Sequence, residues 1–515
     1  MVINRKKNAI FGTFWGGLQK TVIIVFSFII RTVFIHTIGV SYLGLSSFFE
    51  SLLQVLNLAE LGVSSALVFS MYKPIVDDDE EKICALMNLY RRCYRIIGLI
   101  ILGLGLAIMP FIPLLIKNSV PSDINIYAVY LMYLGATVLS YWMFAYRNSL
   151  FYAFQRIDVL NIISSTVSLV TYILQLVCLI RFRNYYAFLV ISILSAIAIN
   201  VITGFASKKT YPQFIATGVL PQEERNEIFR KVKDLFTLKI GDVAFHSADS
   251  IVISSFLGLD VLAVYQNYNT ILLTIISFFA VFYNACEAGI ANSLIVNDER
   301  ENRKLLYNIR HISFFFLNFC VTSLVCLYQP FMELWVGKEY LLEFSMVVLF
   351  ATYLVAEIAP RTLMVFKNAG GIWHGDRFRP LIISVSNLCI NIILVNIIGI
   401  KGVLIATIFT WTCIGSPWLI YNVNHNLLRI EVKKYIMTSA IYVITMIGCA
   451  VVSYGLCSLI HIDNLIANII IRGLLCLALP NGMFCLFFLK KTEQQYFVTT
   501  ALSIIKGMRH GLSNK

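Results

Sequence analysis

Runs of some twenty apolar residues recur along the chain at short intervals, and no other feature limits the fold so tightly. A lipid core about 30 Å thick is crossed by a helix of about 20 residues. Scanning at that length places spans at 10–36, 43–71, 96–116, 126–151, 159–180 and 185–206, then at 237–257, 261–294, 311–335, 341–366, 380–398 and 402–423, with a last pair at 435–460 and 465–489. The first run is too long for the apolar stretch of a cleavable signal peptide and reads as a span. Of the 515 residues 58% are hydrophobic and only 13% charged, where a soluble fold carries about 25% charged. The expected class is an all-α polytopic membrane protein with about fourteen transmembrane helices.

Charge gives those spans a direction. With the N-terminus inside, 31 of the 41 Lys and Arg residues fall in inside strips, and only Lys117, Arg181, Arg183, Lys338 and Lys401 fall outside. Positive charge collects on the cytoplasmic side of membrane proteins, so both termini are expected there. The net charge of +13 is accounted for by basic cytoplasmic strips facing anionic lipid; no nucleic-acid partner is expected. The twelve cysteines lie mostly within spans and form no CxxC. They read as small apolar packing residues, with no disulfide framework and no metal site.

The spans divide into two lobes and an appendix. The strip 207–236 contains QEERNEIFRKVKDLF, in which Ile228, Val232 and Leu235 recur at i, i+4, i+7. That pattern suits an amphipathic helix on the inner leaflet. The expected division is an N-lobe at 1–206 (helices 1–6), a cytoplasmic amphipathic linker at 207–236, a C-lobe at 237–425 (helices 7–12), and helices 13–14 with a cytoplasmic tail at 426–515. AELGVSSAL at 59–67 is similar to CEAGIANSL at 286–294, in equivalent helices of the two halves. Parallel repeats of this kind place a substrate site between the halves.

Charge inside a span costs roughly 2.5–3.5 kcal/mol on insertion scales, so each case asks for a reason. Arg31, Arg147, Arg361 and Arg472 lie within a few turns of span ends, from where they reach headgroups. Glu357 and Arg361 also form an i, i+4 pair around Pro360. Lys20 sits near the middle of the first span, with Ser27 and Arg31 on its face. This basic stripe either holds an anionic substrate in a water-filled cleft or pairs with Glu50 or Glu60. Span 2 carries Glu50, Gln54 and Asn57 at i, i+4, i+7, with Glu60 close to that face. Asp242, His246 and Asp249 repeat the spacing in span 7, a ladder that either binds a proton or sodium ion or hydrogen-bonds across a closed bundle. In span 8, Tyr265, Gln266 and Asn269 suit sugar contacts or an interfacial belt equally, and Glu287 lies deeper. There is no GxxxxGK[ST] loop, no HExxH and no GxSxG. The strips between spans are too short for a catalytic domain; an enzyme is not expected, and no cofactor is implied.

Three stretches carry a family resemblance: YLGLSSFFESLLQVLNLAELGVSSALVFSMYKP at 42–74, DDDEEKICALMNLYRRCYRIIG at 77–98 and SADSIVISSFLGLDVLAVYQNYN at 247–269. The first resembles the second-helix region of bacterial polysaccharide flippases, the O-antigen, capsule and exopolysaccharide repeat-unit transporters of the MOP exporter superfamily. The resemblance implies two six-helix bundles in a MATE-like V around a central cavity, with two extra C-terminal helices. It implies a bacterial cytoplasmic-membrane flippase moving undecaprenyl-pyrophosphate-linked oligosaccharide outward by alternating access. A gradient of H+ or Na+ and the polysaccharide assembly machinery are the further partners it implies. Lys20, Arg31 and Arg147 are then the candidates to hold the pyrophosphate. Glu50, Glu60, Tyr265, Gln266 and Asn269 complete the expected substrate set. Asp249 lies within the matched motif; Asp242, His246 and Glu287 join it as ion-coupling candidates by helical spacing alone. The rival reading is a MATE-like, cation-coupled exporter of drugs or other small molecules.

Overall fold

The computed structural model describes residues 5–60, 62–117, 120–460 and 462–513. Every regular element among the described residues is helical. Among the described residues eleven helical stretches are long and apolar enough to cross a membrane, and a bent pair makes a twelfth. The two further spans expected from sequence differ for physical reasons. Span 2 is not one helix but two short apolar ones, and span 7 belongs to a helix rich in charge.

The chain forms two compact units. The first comprises residues 1–266 and 380–388. Its helices are α1 (Arg5–Thr37), α2 (Val40–Leu56), α3 (Val63–Val76), α4 (Glu80–Ile108), α5 (Ile126–Trp142), α6 (Asn148–Ala153), α7 (Ile157–Arg181), α8 (Tyr185–Thr210), α9 (Gln222–Phe256) and the start of α10 (Leu259–Val296). The acidic strip after α3 has a local job. Asp79 accepts a hydrogen bond from the Lys82 backbone N–H at 2.9 Å, and Glu80 and Glu81 fill the first turn of α4. A side-chain cap and negative charge at this end both favour a helix start. Asn125 and Asn184 cap α5 and α8 in the same way.

Two spans of this unit are discontinuous. Between α2 and α3 the chain passes through a 3-10 turn, Asn57–Glu60, and then Gly62 at φ 91°. Only glycine adopts that left-handed conformation readily. Between α5 and α6 the chain turns at Phe144, φ 58°, and the two helices bend by 46°. Broken helices leave backbone groups without helical partners, so inside a membrane they survive only where protein or a water-filled cavity satisfies them. The linker expected to lie on the inner leaflet has no end of its own. It runs straight into span 7 as α9, 35 residues long.

The second unit comprises residues 267–379 and 389–515. It contains α11 (Glu299–Val336), α12 (Phe344–Ile358), α13 (Arg361–Ala369), most of α14 (Arg379–Ile398) with α15 (Ile400–Thr410), α16 (Ser416–Asn426), α17 (Val432–Ser458), α18 (Leu465–Phe488) and α19 (Thr492–Ser513). The helix α11 is its axis, and α17 and α18 pack on it. Arg310 is buried there against the rings of Tyr307, Tyr435 and Tyr442 and donates to Thr438 Oγ1 at 2.7 Å. Next to it His311 hydrogen-bonds Tyr442 Oη through Nδ1 and Gln494 Oε1 of α19 through Nε2, each at 2.7 Å. The Glu357–Arg361 pair read from the sequence forms beside the break at Pro360. Asp376 is buried between Lys367, 2.6 Å away, and Arg379, 2.7 Å away.

Candidate functional site

The first unit contains a half-open cavity of about 270 Å³, part polar and part apolar, lined from α1, α2, α5, α7 and α8. Its charged residues are Arg31 and Glu50, which lie close enough to feel each other's charge. Ser27 sits one turn before Arg31 on α1, and Ser46 and Ser47 sit one turn before Glu50 on α2. The far wall is aromatic and amide. Tyr172 stacks on Phe26 with ring centres 5.4 Å apart, and Gln175 donates to Ser192 Oγ at 2.8 Å. Ser46 Oγ and Tyr185 Oη share a hydrogen bond of 2.9 Å. Behind the cavity, α2 packs closely on the start of α10. A side chain at Gly44 would place its Cβ 2.0 Å from the Leu259 carbonyl oxygen, so α2 meets the start of α10 backbone to backbone.

The volume decides what fits. Ligand pockets for drug-sized molecules occupy about 300–1,000 Å³, and a water takes about 30 Å³. This cavity holds an ion with several waters, or one charged headgroup, but no oligosaccharide.

The expected substrate residues do not converge on one place. Arg31 and Glu50 face the cavity; Lys20 is exposed on α1 and is not part of the cavity wall. Glu60 has another role, at the break in span 2. Its carboxylate accepts from Tyr94 Oη at 2.5 Å and from Tyr141 Oη at 2.8 Å, and Tyr141 also reaches Asn57 Oδ1 at 3.2 Å. This tyrosine cage ties the broken turn to α4 and α5. Arg147 sits in the bend between α5 and α6, where its buried Nη1 has no hydrogen-bond partner. Tyr265 and Gln266 are spent on the α9–α10 hairpin, Tyr265 on Asp249 at 3.3 Å and Gln266 on Ser250 at 2.7 Å. Asn269 belongs to the second unit.

Among the ion-coupling candidates, Asp249 accepts from Tyr265 and is half-buried, while His246 is exposed. The side chain of Asp242 lies outside the described residues. Glu287 is half-buried on α10, in the second unit. Sequence reasoning passed over the cavity residues of α7 and α8. Gln175 was the available signal, an amide in the middle of an apolar run. The cysteines, which spacing gave no reason to group, also come together: Cys326, Cys457 and Cys476 meet in the second unit.

A chain of apolar spans, several of them interrupted, with a charged cavity in its first unit, defines a multi-pass helical membrane protein. Solved structures sharpen its fold. The lipid II flippase MurJ in an inward closed conformation superposes with a TM-score of 0.68 at 16% identity, over 93% of this chain and 99% of that one. An inward-facing multidrug resistance transporter of the MATE family gives 0.63 at 12% identity, over 81% and 96%. A point mutant of a Vibrio cholerae MATE transporter gives 0.51 at 14% identity, over 82% and 98%. The chain shares its fold with these transporters. No protein-family profile and no curated protein sequence matches the chain.

Proposed function

We propose that the chain is a flippase for a lipid-linked oligosaccharide carried on undecaprenyl pyrophosphate, moved from the inner to the outer leaflet of the bacterial cytoplasmic membrane and driven by a proton gradient. The observation that carries this reading is that Arg31 and Glu50 line one half-open cavity within reach of each other's charge, in a fold shared with a lipid II flippase. Arginine is suited to phosphate because its planar donors bind two oxygens at once. Glu50 competes for the same guanidinium. A proton taken up by Glu50 releases Arg31 to the pyrophosphate, and loss of that proton takes Arg31 back. This exchange ties proton movement to headgroup capture, while the glycan stays outside a cavity too small for it. Arg147 and Lys20 do not line this cavity and are left as candidates for a headgroup contact outside it. Asp242, His246, Asp249 and Glu287 remain the reserve candidates for the ion route.

The test is translocation of lipid-linked oligosaccharide in proteoliposomes with an imposed pH gradient. Arg31→Ala is expected to lower the rate at least tenfold. Glu50→Gln is expected to leave a slow flux that no longer responds to the gradient. Gradient-dependent transport at full rate in both variants would end the proposal. The small cavity also favours a second reading, a MATE-like exporter of small molecules. Efflux of cationic dyes by the same vesicles, with no movement of lipid-linked glycan, selects it.

A further inference from the structure

Three helices of the second unit each bring a cysteine to one point. Cys326 of α11, Cys457 in the last turn of α17 and Cys476 of α18 are each 1% exposed or less, and their Sγ atoms all lie within 4.8 Å of one another. Leu327 and Leu475 pack against them. Arg472, one turn before Cys476, adds a positive charge. Its Nη1 donates to the Cys326 carbonyl oxygen at 3.5 Å, and its buried Nε has no hydrogen-bond partner. Its charge is felt at both Cys457 and Cys476.

Buried thiols alone are adequate packing groups. Arg472 is what that account leaves unexplained. A guanidinium does not shed its proton in a protein, and a charge half-buried within a span is costly without a counter-charge. Among the described residues no ion pair joins Arg472 to a carboxylate.

We propose that Cys326, Cys457 and Cys476 form a binding site for a thiophilic divalent d10 cation of the zinc and cadmium class, with Arg472 balancing its charge. Soft thiolates favour such metals. Binding is M2+ + 3 RSH → M(SR)3− + 3 H+, so each metal displaces three protons. The complex carries one negative charge, which Arg472 cancels. At the centre of a triangle with 4.8 Å edges a cation lies about 2.8 Å from each sulfur, against about 2.3 Å for zinc–thiolate bonds. Shifts of about half an ångström, within reach of small side-chain rotations, complete the shell. Once bound, the metal clamps α17 and α18 to α11.

Cadmium is the probe, titrated into the reduced full-length protein in detergent. The expected result is one equivalent bound, with thiolate-to-metal charge-transfer absorption, release of three protons and reversal by an excess of a strong chelator. Cys326→Ser, Cys457→Ser and Cys476→Ser should each abolish the absorption, whereas Cys389→Ser, exposed on α14, should keep it. Arg472→Gln should weaken binding ten- to a hundredfold, as loss of an outer-shell partner does elsewhere. A second measurement is free of folding defects: cadmium should protect these three cysteines of the wild-type protein from alkylation. Absence of both absorption and protection overturns the proposal, as does absorption that survives all three serine substitutions.

Discussion

Glu60 shows how an intramembrane charge can be explained by its neighbours. As a lone carboxylate in an apolar run it resembles a substrate or ion ligand. In the folded unit it accepts two tyrosine hydroxyls, Tyr94 at 2.5 Å and Tyr141 at 2.8 Å, and Tyr90 meets Tyr94 edge to face at 4.5 Å. Removing the acceptor costs each hydroxyl its shorter hydrogen bond, about 1 kcal/mol apiece, and leaves Tyr94 with Tyr90 Oη at 3.0 Å and Tyr141 with Asn57 Oδ1 at 3.2 Å. Glu60→Ala is therefore expected to lower the thermal midpoint of the purified protein by several degrees. A fluorescence-detected melt that matches wild type would show that the cage does not hold the break together. Arg31 and Glu50 are the opposite case, since both line an open volume. Both kinds of residue stood out equally in the sequence. What separates them is tyrosines 34 and 81 positions away from Glu60, which no helical spacing within span 2 reveals.

At the scale of elements, the spans were legible because hydropathy sums over some twenty side chains, and their interruptions were not. Gly62 and Phe144 each turn the chain with a single residue at positive φ, too small a signal to register in a window that long. Pro360, by contrast, announces its break by chemistry, since it cannot donate to a helix, and α12 ends just before it. Discontinuous membrane helices are where transporters commonly place binding groups, so these breaks matter more than the uninterrupted spans. Gly62→Ala tests the first of them. Forcing a Cβ into the left-handed region costs about 1–2 kcal/mol, and the expected result is a lower melting temperature with a marked loss of transport. Wild-type behaviour in both assays would mean that the α2–α3 junction tolerates another backbone path.

For the whole molecule, the MOP-type fold and the apolar helices agree with the architecture expected from composition and resemblance. The difference in span number has a plain origin. Among the described residues eleven helical stretches and one bent pair satisfy length and apolarity. The remaining two of fourteen are the broken α2–α3 pair and the charged α9. The charge asymmetry of the connecting strips makes a separate prediction about orientation. Reporter domains fused to each terminus should both be active in the cytoplasm, and one inserted beside Lys117 should be active only outside. A C-terminal reporter active outside would mean an odd number of crossings.

The continuity of α9 carries a mechanical consequence. A helix of 35 residues is a rod about 52 Å long at 1.5 Å per residue, with no proline along it. One end is gripped by Lys82, whose ammonium lies 2.8 Å from Glu224. It is steadied further along by Lys231 over the ring of Phe69 at 5.4 Å. The other end holds Asp249 against Tyr265. A stiff rod does not absorb a displacement at one end; it delivers it as tilt or twist at the other. Whatever pulls on the surface near Glu224 thus exerts torque on Asp249, with Gly241, pressed against Pro380, as the fulcrum.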